Sequence, residues 1–119
     1  MENKNELEKR LFDFAVKTIC FLRKLPNTYE FNVIKNQLIK SSTSSGANYE
    51  ESQAGSSRPD FCNKVRISLR EMRESNYWFR LIQAISDDKI NKEELLWLVQ
   101  ESQELKLILG SIAQKTRTK

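Results

Sequence analysis

Ser41-Ser-Thr-Ser-Ser-Gly-Ala-Asn-Tyr-Glu-Glu51 is the stretch on which the fold turns. Judged by propensity, its first half is a flexible linker, because Ser, Thr and Gly are poor helix formers. Judged by periodicity, a 3.6-residue repeat carries Ile34 and Leu38 onto Ser41, Ser45 and Asn48. A helix whose inner face turns small lets a partner backbone come close, and its hydroxyls can bond the carbonyls of the preceding turn. Composition leaves both readings open.

Outward from this run, punctuation divides the chain into four helical segments. The first spans about residues 5–25, with Leu7, Leu11, Phe14, Ala15, Ile19, Leu22 and Leu25 at three-to-four spacing, and Pro26 stops it. Asn27-Thr-Tyr-Glu30 has a capping-box pattern that opens a second segment over about 28–54. Ser57-Arg-Pro-Asp60 combines a cap, an early proline and a first-turn acid, and opens a third segment over 57–86. Asn91-Lys-Glu-Glu94 caps a fourth, over 91–114. Short connections predict antiparallel neighbours, hence an all-α, up-down-up-down four-helix bundle forming one domain over 1–119.

Composition narrows the chemistry. The 119 residues include 20 Lys plus Arg, 16 Asp plus Glu, two Cys and no His. Without His there is no Ser-His or Cys-His nucleophile, no imidazole metal ligand and no proton shuttle near neutral pH. Two cysteines, Cys20 and Cys62, make neither a disulfide framework nor a zinc set, and each is expected as a buried, inert thiol. No cofactor is expected, and an enzyme is not. The opening Met1-Glu-Asn-Lys-Asn-Glu6 lacks a basic stretch followed by an apolar one, and no apolar run approaches the ~20 residues of a membrane span. The expectation is a cytoplasmic protein without membrane association.

Gln37-Leu-Ile-Lys-Ser-Ser-Thr-Ser-Ser-Gly-Ala-Asn-Tyr-Glu-Glu51, Ser57-Arg-Pro-Asp-Phe61 and Ile67-Ser-Leu-Arg-Glu-Met-Arg-Glu-Ser-Asn-Tyr-Trp-Phe-Arg-Leu81 closely resemble the bacterial four-helix bundle proteins encoded in intervening sequences of 23S ribosomal RNA genes. Accessory proteins of diversity-generating retroelements look like members of the same fold. The specific part is Ala47, Asn48 and Glu51 on the second helix with Glu71, Glu74, Trp78 and Leu81 on the third. The resemblance implies that the Ser-rich run is helical and that the bundle assembles as a ring-shaped homopentamer. It also implies RNA or DNA as a ligand and, from the retroelement relatives, a reverse transcriptase as a protein partner. It implies no settled activity.

On a 100° wheel, Phe61, Val65, Ser68, Met72, Ser75, Phe79, Ile82 and Ile85 form the core stripe of the third helix. Arg66, Arg70, Arg73, Tyr77 and Arg80 fall within roughly 80° of arc on the opposite side. Such a row can grip a phosphate backbone and stack a base on the phenol ring; the alternative is a solvated face with intrahelical pairs. Residues 57–86 hold six basic and three acidic side chains, residues 1–25 six and four, and residues 87–119 six of each, so the surplus sits on the first and third segments.

A carboxylate pair such as Glu71 and Glu74 can serve acid–base chemistry or hold Mg²⁺. With no third ligand or nucleophile to propose, both are assigned to hydrogen bonds with the second helix or to pairing with Arg across an interface, and the resemblance implies the same polar packing between helices for Asn48 and Glu51. On the fourth helix, Leu95, Leu98, Ser102, Leu105, Leu109 and Ile112 face the core. Leu96, Gln100, Gln103, Leu107 and Gln114 form an uncharged outer band that predicts an oligomer contact. Phe12, Phe14, Phe21, Phe31, Trp78 and Trp97 are expected as core or interface anchors. The expected function is therefore a non-enzymatic, oligomeric nucleic-acid-binding protein that uses the Arg face; the alternative is a scaffold that docks a nucleic-acid enzyme.

Overall fold

The structure, a computed structural model, describes residues 4–55 and 57–117. Four α-helices run Lys4–Leu22 (α1), Tyr29–Ser52 (α2), Arg58–Ile85 (α3) and Lys92–Arg117 (α4), and no strand occurs among the described residues. At 1.5 Å per residue the 28 residues of α3 make a rod of about 42 Å, which accounts for most of the 48 Å long axis. The helices pack α1 on α2, α2 on α3 and α3 on α4, and α1 also meets α4.

Local chemistry sets the ends, with some shifts from the sequence reading. α1 stops at Leu22 rather than Leu25. The amides of Lys24 and Leu25 bond back only three residues, to Phe21 and Leu22, because Pro26 disfavours helical backbone at Leu25. The cap of α2 is Thr28, not Asn27: its hydroxyl accepts from the Phe31 amide at 3.2 Å. Asn27 Oδ1 instead accepts from the Asn32 side-chain amide. Ser57 caps α3 through the Asp60 amide and Asn91 caps α4 through the Glu94 amide. The turn after α2 passes through Gly55 at φ +80°, a conformation that favours glycine.

The Ser-rich run is helical throughout, and it forms the seam between α2 and α3. Ser41, Ser42, Ser45 and Ser52 on α2 are buried, as are Ser68 and Ser75 on α3. Ser45 Oγ donates to the Ser68 carbonyl at 2.8 Å while Ser68 Oγ donates to the Ser45 carbonyl at 2.7 Å. Ser41 and Ser75 share a hydroxyl–hydroxyl bond of 2.7 Å. A carbonyl engaged in a helix keeps a second lone pair, so these bonds tie helix to helix without breaking either ladder. Only a one-carbon side chain lets a hydroxyl reach the facing main chain. Gly46 does the same toward α1: a Cβ there would sit 3.3 Å from Leu11 Cβ.

Around the seam lies an apolar core. Phe79 meets Phe14 edge-on at 5.9 Å and Phe21 at 6.2 Å, amid Leu11, Leu38, Met72, Ile82, Leu98, Leu105 and Leu109. The stripe of α1 runs through Thr18 and Phe21 rather than Ala15 and Ile19, which are half-buried. On α3, Phe61 is half-buried and Ile85 exposed, where the stripe leaves the bundle. Phe12 is 68% exposed and so is not a core anchor, unlike Phe14, Phe21 and Phe31. Cys20 is exposed on the outer side of α1, contrary to the buried thiol expected, and Cys62 is half-buried; both are free. Burial, reinforced by Glu8, pushes the Tyr49 phenol above its ordinary range, as befits a core tyrosine.

Thr18 Oγ1 and Ser42 Oγ are buried without a hydrogen-bond partner. Ser42 therefore makes a control for Ser45. Ser45→Ala removes a bonded hydroxyl and lowers the unfolding free energy by about 1–2 kcal/mol. Ser42→Ala removes an unsatisfied one and leaves stability unchanged or raised by up to about 1 kcal/mol. Urea titration of the two variants checks the contrast; equal losses would contradict it.

Candidate nucleic-acid interface

Charge on this bundle is unevenly matched. Arg10 on α1 reaches α4, with Nε 3.0 Å from Glu101 Oε2, Nη2 2.8 Å from Oε1, and Glu104 at 2.6 Å. Lys24 meets both Glu94 oxygens at 2.8 Å. The cationic surplus of α1 is thus met in part by acids of α4. Lys9 pairs with Asp13 on its own helix, which raises its pKa through the hydrogen bond and the adjacent charge.

The face of α3 differs. Arg66, Arg70, Arg73, Tyr77 and Arg80 are all exposed on one side, opposite the buried Ser68, Met72, Ser75 and Phe79. Arg66 and Arg73 make no ion pair among the described residues, and Arg70 has only a loose one, 3.7 Å to Glu71. Arg80 Nε donates to the neutral Asn76 Oδ1 at 3.0 Å, and its guanidinium lies 5.8 Å from the centre of the Tyr77 ring. Trp78 meets the Tyr77 ring edge-on at 5.2 Å. The row is therefore a set of charges with its ring held from two sides. It spans about 21 Å from Arg66 to Arg80, by fourteen residues of helical rise.

The row borders a groove. Arg66, Leu69 and Arg73 of α3 line a cleft of about 650 Å³ whose far wall is α4, with Lys106, Leu107 and Gly110. A smaller depression of about 320 Å³ holds Asn76, Arg80, Gln100, Gln103, Glu104 and, again, Leu107. The uncharged band of α4 is exposed, Leu96 at 46% and Leu107 at 61%. Its Gln100, Gln103 and Leu107 are thus the opposite wall of the groove that the arginines border, while Leu96 lines neither depression.

Of Asn48, Glu51, Glu71 and Glu74, all expected between helices, Glu51 takes that role and the other three bond along their own helices. Asn48 donates to Ser44 carbonyl and hydroxyl on its own helix, at 2.9 and 3.0 Å. Glu74 accepts from Trp78 Nε1 at 3.1 Å, one turn along α3, and Glu71 faces its neighbour Arg70. Glu51 does bridge helices, to Lys64 at 3.1 Å. The reason is reach: the seam is so close that small hydroxyls fill it and longer polar groups are turned to its flanks. Among the described residues no three Cys, Asp or Glu side chains converge as a metal set.

Three contributors escaped the sequence reading. Asn76 is buried; its amide donates to the Val99 carbonyl and to Ser102 Oγ, joining α3 to α4 while its oxygen holds Arg80. Its position one turn from Met72 and from Phe79 was the available signal. Gly110 lies inside α4, where a Cβ would meet nothing nearer than Leu69 Cδ1 at 4.0 Å, so no close helix approach requires it. A glycine within a helical pattern was the signal there. Lys106 had none, since only packing shows which cation faces α3.

The two kinds of cation have different energetic roles. Arg10→Ala leaves the largely buried Glu101 without its two charge-assisted bonds and lowers the unfolding free energy by about 2 kcal/mol. Arg66→Ala, with no bond to lose, stays within about 0.5 kcal/mol of the parent. Chemical denaturation of both variants reads the difference.

The sequence profile of the 23S rRNA-intervening sequence protein family matches residues 3–111. No curated protein matches the chain. A solved structure from Bacteroides thetaiotaomicron, described as a protein with unknown function from the S23 ribosomal protein family, superposes with a TM-score of 0.78 at 32% identity. That match covers 90% of this chain and 97% of the other. With the profile spanning all four helices, the chain belongs to the 23S rRNA-intervening sequence protein family.

Proposed function

We propose that this protein is a non-enzymatic, oligomeric nucleic-acid-binding bundle, with RNA as its ligand. Arg66, Arg70, Arg73 and Arg80 hold backbone phosphates and Tyr77 stacks on a base. The observation that carries the reading is the contrast in charge matching: Arg10 and Lys24 are neutralised by α4 carboxylates, whereas the α3 guanidiniums stand exposed in a row with one loose carboxylate contact. A merely solvated face would be expected to pair with its own i,i+4 acids; Glu74, four residues on from Arg70, accepts from Trp78 instead. The family's description, tied to 23S rRNA, favours RNA over DNA. The protomer is read as up-down-up-down: Ser41 meets Ser75, Ser45 meets Ser68 and Glu51 meets Lys64, numbers rising along α2 as they fall along α3.

Assembly as a ring, a homopentamer by likeness to the family, belongs to the same proposal. A closed ring of more than two copies needs two different faces per subunit. The Leu96 end of the uncharged α4 band, which lines neither depression, is one, while Gln100, Gln103 and Leu107 stay with the groove. The other candidate is the α1 face, where Phe12 and Val16 are exposed beside Glu8 and Glu50. Repeating the Arg row around an axis raises avidity without any new kind of contact.

The Arg66/Arg70/Arg73→Ala triple variant keeps its helical spectrum and its mass. Its affinity for single-stranded RNA falls, and the slope of log affinity against log salt becomes shallower by about 2, at ~0.7 for each phosphate no longer held. Fluorescence anisotropy between low and moderate salt measures both. Absence of RNA or DNA binding by the parent at low salt would sink the reading, and a pull-down surviving nuclease treatment would then favour a protein-docking role.

Assembly has its own test. Leu96→Glu, outside the cleft, and Phe12→Glu each lower the mass seen by light scattering. An unchanged mass for Leu96→Glu removes the α4 band from the subunit contact.

A further inference from the structure

Resting on the nucleic-acid reading, we infer that the α3–α4 cleft is a pocket for one unpaired base, so that the protein prefers single-stranded over fully paired nucleic acid. The guanidiniums alone predict no such preference, because they grip any backbone, and the Tyr77 stack lies apart from the cleft, whose lining does not include that ring. What adds it is the composition of the cleft beside the row. It is lined by cations from both helices, Arg66 and Arg73 from α3 and Lys106 from α4, together with the half-buried Leu69 and Gly110 and the exposed Leu107. The volume of about 650 Å³ exceeds what a single base needs and leaves space for its sugar.

Gly110 is the second, independent observation. A glycine inside a helix costs stability relative to alanine. Glycine is usually explained there by a close backbone approach, as at Gly46 against Leu11. At Gly110 that explanation fails, since the nearest atom to an added Cβ is a flexible Leu69 methyl at 4.0 Å. The missing side chain therefore serves not the packing but the depth of the cleft. An apolar floor flanked by guanidiniums suits the flat face of a base, with its 5′ and 3′ phosphates on the cationic rims. A base within a duplex cannot enter without leaving its stack.

The test compares a short oligouridine, which has little structure of its own, with an abasic strand of the same length and backbone. Parent protein binds oligouridine roughly tenfold more tightly than the abasic strand, the range of one stacked base. Gly110→Leu, which fills the cleft, brings the ratio toward one, with circular dichroism checking that α4 stays helical. Ser111→Leu, at an exposed position on the same cleft, gives the same direction without touching the helix interior. Variants that keep the parent's ratio overturn the pocket and leave the Arg and Tyr77 reading standing; a parent ratio of one overturns the pocket and the Tyr77 stack, leaving the phosphate contacts alone. A parent that binds neither strand overturns both.

Discussion

The reciprocal pair of bonds between Ser45 and Ser68, each hydroxyl donating to the other residue's main-chain carbonyl, sets the distance between α2 and α3. Helix pairs sit 8–10 Å apart according to the side chains between them, and a serine seam belongs at the near end. Everything on the far side of α3 follows from that spacing. With α2 drawn in on the Ser68 and Ser75 side, α3 turns its Met72, Phe79 and Ile82 into the core and its arginines outward. Leucine at position 45 would push the backbones apart and break both bonds at once. Burial of two hydroxyls is tolerable because they are satisfied; Ser42 and Thr18, buried and unbonded, mark where the same strategy carries a cost.

Bulk charge says little about this surface, because the same residue types do two jobs. Arg10 and Lys24 are structural: they fasten α1 to α4, through Glu101, Glu104 and Glu94. Arg66 and Arg73 fasten nothing. Removing charge from the first pair weakens the bundle, while removing it from the second changes only the field over the groove. A net of +4 for the chain does not show which cations are paired and which stand open.

Four helices, their approximate ends and most of the core were legible in the sequence because each depends on local spacing and caps. The helicity of Ser41–Gly46 was not, on residue physics alone. Propensity there opposes helix, and what overrides it is a partner: Ser68 and Ser75, more than twenty residues away, accept the small face. The resemblance to a known family supplied that answer without its reason. Asn48 and Glu74 were placed between helices because both are polar and near the seam, yet each bonds within its own helix. Sequence gives the angle of a side chain around its helix but not the gap it must span. For the same reason the Arg row of α3 and the uncharged band of α4 were read as two separate features. Their meeting at Leu107 depends on how α3 and α4 are rotated against each other, which no spacing within either helix reveals.

Asn76 is where the fold and the groove are joined. Its amide donates to Val99 and Ser102 of α4, and this is what fixes the rotation of α3 against α4 at that level. Its remaining oxygen accepts from Arg80 and holds that guanidinium against the Tyr77 ring. A buried amide with both ends used costs little to bury and orients what it touches. Arg73, about one turn from that anchor, and Arg66, nearly three turns from it, have no such restraint and border the other end of the groove. The groove therefore has a fixed end at Asn76, where Arg80 and Tyr77 are set in place by the core. Its other end, lined by Leu69 and Gly110, carries guanidiniums without such bonds. The row is thus uneven in its bonding: Arg80 is tied to the core through Asn76, while Arg66 and Arg73 make no ion pair among the described residues.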